Sequence, residues 1–114
     1  MKVFRSHELE EAIVYAAAGG QAIHLHRFIG DRVRAPACFV RAVDRGEDIA
    51  HLFDRDERRL ILTAKKLGVR VVVVERSGSP RQHVDLCGAP LRKAKVECER
   101  HALIPWAPES YTDA

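Results

Sequence analysis

Histidine and aspartate recur in this chain at spacings that could hold a metal ion or move a proton. His83 and Asp85 are two residues apart, and on an extended segment such residues point the same way. The two side chains could therefore share a proton or bind one ion. His51 and Asp54 would add a second imidazole and a second carboxylate, enough for a divalent metal or for general acid-base catalysis. We predict a catalytic site made of His83, Asp85, His51 and Asp54.

A purely structural explanation of the same residues stays open. Asp54 is followed three residues later by Glu57, the capping-box pattern of a helix start, so its carboxylate could serve only as a cap. His83 lies in a polar segment and could be a solvated loop residue.

A second histidine pair, His24 and His26, has the same two-residue spacing. A third ligand is missing from its neighbourhood in the sequence, so an exposed sheet face or a dimer contact is the alternative to a metal site. If the two regions converge, the candidate metal ligands are His24, His26, His51 and His83. A divalent metal is therefore the candidate cofactor, and its identity stays open.

Basic residues near His83 could hold an anionic ligand. Arg81 and Arg92 can pair with phosphate or carboxylate groups, and Ser79 lies in the same polar segment. We predict these three as ligand-binding residues for a small anion. More arginines cluster between residues 27 and 45. A basic surface that is only solvated, or that contacts nucleic acid, is the alternative, although the net charge of +3 is modest.

Cys87 precedes a predicted helix, whose amides could stabilise a thiolate. Four residues separate it from Arg92, one fewer than the cysteine phosphatase signature needs, so we expect a buried structural thiol. Cys38, Cys87 and Cys98 are odd in number, show no paired metal-ligand spacing and follow no signal-peptide pattern. A reducing cytoplasm is the predicted location.

Strand patterns predict a mixed sheet of about four to five strands. Val69 to Val74 is an almost unbroken run of β-branched residues, as expected for a central strand buried on both faces. Ligands bind at the carboxyl end of such strands in open α/β sheets, which places the predicted site after Glu75. The other predicted strands are residues 1–5, 22–29 and 84–87, and a hairpin partner over residues 32–43 that is interrupted at Pro36.

Two to three helices are predicted between these strands. Ser6 could cap a helix whose apolar stripe ends before Gly19 and Gly20. A second helix should begin at Asp54 and end at Gly68 in a left-handed cap, with residues 49–53 as a helical turn leading into it. Pro90 fits the first turn of a last helix.

The length of 114 residues suits one small α/β domain, which we place at residues 1–102 with a tail at residues 103–114. Trp106 and Tyr111 of the tail are expected to dock on the domain or on a second copy. A domain of this size gains stability from association, so we predict a homodimer. No apolar stretch reaches the roughly 20 residues that a membrane helix needs, and we expect no membrane contact.

The second half of the chain resembles a small bacterial domain of unknown function. That family carries a His-Leu-x-x-Asp start, a helix ending in Leu-Gly, and a His-Tyr-Asp-Leu motif before a basic helix. The corresponding segments here are His51-Leu52-Phe53-Asp54, Leu67-Gly68, His83-Val84-Asp85-Leu86 and Arg92-Lys93-Ala94. The first motif is one residue shorter in this chain, and Val84 replaces the tyrosine. The resemblance implies that His51, Asp54, His83 and Asp85 belong to one site, and it implies no reaction.

Two functions of different classes follow from these residues. The first is a small cytoplasmic hydrolase of a phosphate-containing or nucleotide-like ligand, with His83 as general base or metal ligand and Asp85 orienting it. The second is a non-catalytic homodimeric binding or regulatory module, whose basic rim contacts nucleic acid or an acidic partner. Convergence of His51 with His83 and Asp85 would favour the hydrolase. A flat basic face with scattered histidines would favour the binding module.

Overall fold

The computed structural model describes residues 1–102, which form a four-stranded mixed sheet and four α-helices. The elements are β1 (Lys2–Phe4), α1 (Leu9–Ala17), β2 (Ala22–His26), α2 (Ala37–Asp44), β3 (Ile49–Phe53), α3 (Glu57–Lys66), β4 (His83–Leu86) and α4 (Gly88–Ala102). A short 3-10 helix, Ser6–Glu8, precedes α1. The predicted α/β class is confirmed. The predicted tail, with Trp106 and Tyr111, lies outside the described residues.

The strands lie in the order β1-β2-β3-β4, with β1 parallel to β2 and the other two pairings antiparallel. The register aligns two rows of residues across the sheet. One row contains Phe4, His24, His51 and Asp85, and the next contains Ala22, Phe53 and His83. Residues two positions apart on a strand share a face, so both rows lie on the same side of the sheet.

The two faces of the sheet are covered differently. Helices α3 and α4 cover one face, where a core forms from Ile23, Ala50, Leu52, Val84 and Leu86 with Leu60, Ala64, Leu91 and Ala94. Helix α1 covers part of the other face, where Ala12 and Ala16 pack on Phe4, Ala22 and Phe53. The rest of this second face carries His24, His26, His51, His83 and Asp85.

The N-terminal cap of α3 is Asp56, and the prediction that Asp54 caps this helix was wrong. The Asp56 side chain accepts a hydrogen bond from the Arg59 backbone N–H at 3.1 Å. The predicted end of the helix is confirmed. Gly68 has a φ of +98°, a conformation that glycine adopts without steric cost.

Residues 69–74 do not form the predicted central strand. Among residues 1–102, the backbone pairing closest to this segment is the isolated bridge between Glu75, the residue after it, and His83. Val72 and Val74 pack against the core beneath α3 and α4, whereas Val71 and Val73 are 78% and 57% exposed. The β-branched run therefore shields one edge of the core without joining the hydrogen-bonded ladder.

Two further segments have a different secondary structure from the one predicted. Residues 32–43 were predicted as a hairpin partner, but they contain a turn and α2, with Pro36 as the N-cap residue of the helix. Residues 49–53 were predicted as a helical turn, but they form β3, which lies between β2 and β4. Strands were correctly predicted near β1, β2 and β4. Helix α2 raises the number of helices in residues 1–102 above the predicted two to three.

Cys38 of α2 forms a disulfide with Cys87, the residue between β4 and α4. Cys87 therefore has no free thiol, and a nucleophilic role does not apply to it in this form. Disulfides are rare in cytosolic proteins, so the cytoplasmic location stays a prediction. Within residues 1–102, every helix is too short or too polar to cross a membrane.

Candidate functional site

His51, His83 and Asp85 form a compact cluster on the second face of the sheet. Each offers one ligand atom, and these three atoms lie within 4.8 Å of one another. Oδ1 of Asp85 lies 3.5 Å from Nε2 of His83 and 3.8 Å from Nε2 of His51. The register explains the convergence, because Asp85 lies directly opposite His51 and His83 is two residues earlier on the same strand.

The orientation of His83 is fixed by the backbone just before β4. Its Nδ1 lies 2.8 Å from the carbonyl oxygen of Arg81, which can only accept, so Nδ1 carries the proton. In the neutral ring, the lone pair is then on Nε2, the nitrogen that faces Asp85. Histidines that bind metals commonly donate their other N–H to a carbonyl or carboxylate in this way.

The ionisation of His51 and Asp85 suits metal ligation, whereas the raised pKa of His83 means that a metal must displace a proton from its ring. Burial and the neighbouring His26 and His83 lower the pKa of His51 from 6.5 to about 4. Burial alone would lower the pKa of His83, but its contacts with Asp85 and the Arg81 carbonyl raise it overall. Burial alone would raise the pKa of Asp85, but the contact with His83 holds it below its usual range. At neutral pH the cluster therefore offers a neutral His51 and an ionised Asp85, the forms that bind metals.

Two more histidines extend the cluster across the sheet. The ring centre of His26 lies 4.2 Å from that of His51, and burial lowers the pKa of His26. His24 is 4% exposed, and its Nε2 lies 3.0 Å from the carbonyl oxygen of Ser6, which ties this ring to the 3-10 helix.

Three buried ring nitrogens of these histidines have no hydrogen-bond partner among residues 1–102: Nδ1 of His24, Nε2 of His26 and Nδ1 of His51. Buried polar atoms in folded proteins are normally paired with protein groups, water or ions. These three nitrogens can therefore bind a hydrogen-bond donor, an acceptor or a cation that residues 1–102 do not supply.

The two separations that involve Asp85 are closer to the ligand spacing of a tetrahedral metal than to that of an octahedral one. With metal to nitrogen bonds of about 2.0 to 2.1 Å, neighbouring ligand atoms lie about 3.4 Å apart in a tetrahedron and about 3.0 Å apart in an octahedron. The two measured separations from Asp85 are 3.5 and 3.8 Å. Two histidines and one carboxylate also leave a fourth position open, as in catalytic zinc sites.

Asp54, the fourth predicted catalytic residue, belongs to a different network. Its carboxylate has 0% exposure and accepts hydrogen bonds from Nε and Nη2 of Arg59, both at 2.7 Å. Nε2 of Gln21 and the backbone N–H of Asp56 also donate to it, each at 2.9 Å. Asp54 therefore organises the start of α3, while the other three predicted catalytic residues come together.

The predicted ligand-binding residues lie in two places. Ser79 and Arg81 are in the turn before β4, where the Arg81 N–H donates to Oγ of Ser79 at 3.1 Å. Arg92 lines a cavity of about 540 Å³ with Arg41, Arg45, Arg70 and Asp85. The sequence shows arginines between residues 27 and 45 as a basic cluster, but no pattern in it places Arg70 beside them.

Comparison of this chain with protein-family models, with curated proteins and with solved structures gave no significant match. The resemblance of the second half of the chain to a small bacterial domain of unknown function stays a prediction.

Proposed function

We propose that this chain binds a divalent metal, with zinc as the favoured ion, and uses it to hydrolyse a small phosphate-containing or nucleotide-like substrate. The ligands are His51, His83 and Asp85. The observation that carries the proposal is the convergence of three ligand atoms within 4.8 Å of one another. The hydrogen bond from His83 to the Arg81 carbonyl supports it, because it orients the ring so that Nε2 faces Asp85 and is the nitrogen available to a metal.

The open fourth position is where water would bind. A metal with three protein ligands lowers the pKa of such a water to about 7, which makes hydroxide available at neutral pH. In the hydrolysis of a phosphate ester, a water oxygen would form the new bond to phosphorus as the bond from phosphorus to the leaving group breaks. A base would carry the proton of the water to the leaving group. His26 is the candidate base, since its ring lies beside His51 and its lowered pKa keeps it neutral.

The experiment that tests metal binding is a titration of purified protein with zinc, manganese and nickel. We expect one zinc per chain, and His83→Ala and Asp85→Asn should each weaken zinc binding more than about 100-fold. The matched control is His7→Ala, because His7 is an exposed histidine of the 3-10 helix. Zinc binding that is unchanged in His83→Ala and Asp85→Asn would remove this site.

Catalysis needs a separate measurement on the same proteins. We expect the zinc-loaded protein to hydrolyse p-nitrophenyl phosphate, and His83→Ala to lose this activity while His7→Ala keeps it. Zinc bound without any hydrolysis would contradict the enzymatic part of the proposal. It would favour the alternative, a non-catalytic binding or regulatory module.

The proposal includes a homodimer and a cytoplasmic location. The exposed Val71 and Val73 support a dimer, because a second copy could cover this apolar surface. Composition supports the location, and the disulfide between Cys38 and Cys87 argues against it. Sedimentation equilibrium tests the dimer, and a monomer at all concentrations would contradict it. Cell fractionation tests the location.

A further inference from the structure

An arginine-lined cavity lies beside the His/Asp cluster. Its volume is about 540 Å³, within the range of sites for small molecules. Arg41 belongs to α2 and Arg45 directly follows this helix, while Arg70 follows α3 and Arg92 belongs to α4. Four arginines thus line a cavity whose lining contains two acidic residues, Glu47 and Asp85.

Most of this positive charge has no partner in the described part of the chain. Nη1 of Arg92 is paired with Oε2 of Glu47 at 3.0 Å. Among residues 1–102, no carboxylate oxygen lies within 4.0 Å of the guanidinium nitrogens of Arg41, Arg45 or Arg70. Guanidinium groups present forked N–H donors that match the oxygens of phosphate.

The fold holds these arginines around one space. Arg41 and Arg45 are four residues apart and project from the same side of α2. The disulfide between Cys38 and Cys87 attaches α2 to the chain just before α4, and both cysteines line the cavity. The first residues of α4 also line it, and the positive end of the helix dipole adds to the field of the arginines.

We infer that this cavity binds the phosphate group of a phosphorylated small molecule. Asp85 lines the cavity and is also part of the His/Asp cluster, so the cavity borders the proposed metal site. The inference rests on the proposed function and narrows its substrate class to phosphate esters. It also moves the ligand-binding role from Ser79 and Arg81 to Arg41, Arg45 and Arg70.

The test uses inorganic phosphate and phenyl phosphate as probes, titrated into metal-free protein in EDTA at constant ionic strength. Binding is followed by ¹H–¹⁵N NMR. We expect saturable shifts at the amides of residues 68–70, 88, 89, 91 and 92. The double variant Arg41→Gln/Arg70→Gln should bind both probes at least about tenfold more weakly, because it lacks two charged donors. The matched control is Arg58→Gln, an exposed arginine of α3, which should bind within twofold of the wild type.

The outcomes separate this inference from the proposed function. Shifts that do not saturate, or equal affinity in the double variant and the wild type, would overturn the phosphate site even if zinc binds. Saturable phosphate binding that depends on Arg41 and Arg70 supports the site even if zinc does not bind and the hydrolase proposal fails. Zinc titration of the double variant should match the wild type, which shows that its loss of phosphate binding is local.

Discussion

Asp54 directly follows β3 and Asp85 lies in β4, the strand paired with β3, but the two carboxylates differ in burial and in hydrogen-bond partners. The Asp54 carboxylate has 0% exposure and accepts hydrogen bonds from Arg59, Gln21 and the Asp56 backbone. The Asp85 side chain is 37% exposed, and its nearest ionisable partners are two imidazoles at 3.5 and 3.8 Å. One carboxylate has all its acceptor sites used by the fold, and the other keeps sites for a ligand.

The two carboxylates differ in how many of their hydrogen-bond acceptor sites are already occupied by groups of the fold. A buried charge is tolerated only when charged and hydrogen-bonding partners compensate its desolvation, and Asp54 meets that condition completely. Asp85 is held where a cation can reach it, with its pKa lowered by the contact with His83. Substitution of Asp54 should therefore lower the stability of the fold, and substitution of Asp85 should weaken zinc binding.

The largest effect on stability is expected from Asp54→Ala. The change removes the carboxylate partner of Arg59 and the acceptor of the Asp56 N–H, and it leaves Nε2 of Gln21 with Thr63 as its remaining acceptor. We expect a loss of about 3 kcal/mol in the free energy of unfolding, at the low end for a broken buried pair because Arg59 is 42% exposed. Urea denaturation of the metal-free protein measures it.

Asp85→Ala is the matched control for that experiment. Its long contacts with His51 and His83 contribute little to folding, so we expect a change of less than about 1 kcal/mol in stability. Zinc binding should show the reverse order, retained in folded Asp54→Ala and lost in Asp85→Ala. Equal destabilisation by the two substitutions would contradict the distinction between the carboxylates.

The sequence predicted three members of the cluster because a period of two identifies neighbours on one strand face. His83 and Asp85 share β4, and this could be anticipated without knowing the sheet. Their meeting with His51 was implied by the resemblance to the small bacterial domain and not by the spacing, because it depends on the antiparallel register of β3 and β4. Asp54 was predicted as a second carboxylate of the site, but its side chain is bound to Arg59, Gln21 and the Asp56 backbone. An odd separation of three residues points to the opposite face of an extended chain.

The sheet itself was harder to predict than its strands. The run from Val69 to Val74 has the composition of a buried strand, yet two of its valines face solvent and only Glu75 bridges to His83. Residues 49–53 look equally apolar, and their place between β2 and β4 makes them a central strand. Composition indicates that a segment can form a strand, but pairing depends on contacts between distant segments. The position of Arg70 beside Arg41 and Arg45 was unpredictable for the same reason.

A smaller net effect is expected from pH, through the imidazoles around Asp85. The pKa of His51 is about 4 in the folded protein and 6.5 as the reference value, so the unfolded chain binds more protons between these values. Stability should therefore fall as the pH decreases from about 6.5 to 4, by at most about 3 kcal/mol from this group. The pKa of His83 is raised, so its contribution is present at low pH and lost as the pH rises through its folded pKa. It partly offsets the effect of His51.

His51→Gln tests this assignment in metal-free protein. Urea denaturation at pH 7.0, 5.5 and 4.5 should show a shallower loss of stability for the variant than for the wild type. His7→Gln, at an exposed position, should keep the wild-type slope. If His51→Gln and the wild type lose stability equally over this range, His51 is not the group that the fold keeps neutral.

The smallest effect is expected from Gln21→Met, which removes one donor from the saturated carboxylate. Nε2 of Gln21 donates to Oδ2 of Asp54 at 2.9 Å and to Oγ1 of Thr63 at 2.7 Å, while Arg59 and the Asp56 backbone remain bound to Asp54. We expect a loss of about 1 kcal/mol in urea denaturation and unchanged zinc affinity.

In the Asp54→Ala background, the same substitution should cost clearly less, because the carboxylate that Gln21 serves is gone. Equal effects in the two backgrounds would mean that Gln21 stabilises the protein through Thr63 alone. The set of donors that saturates Asp54 would then be smaller by one, and its contrast with Asp85 would depend on Arg59 and the backbone of Asp56.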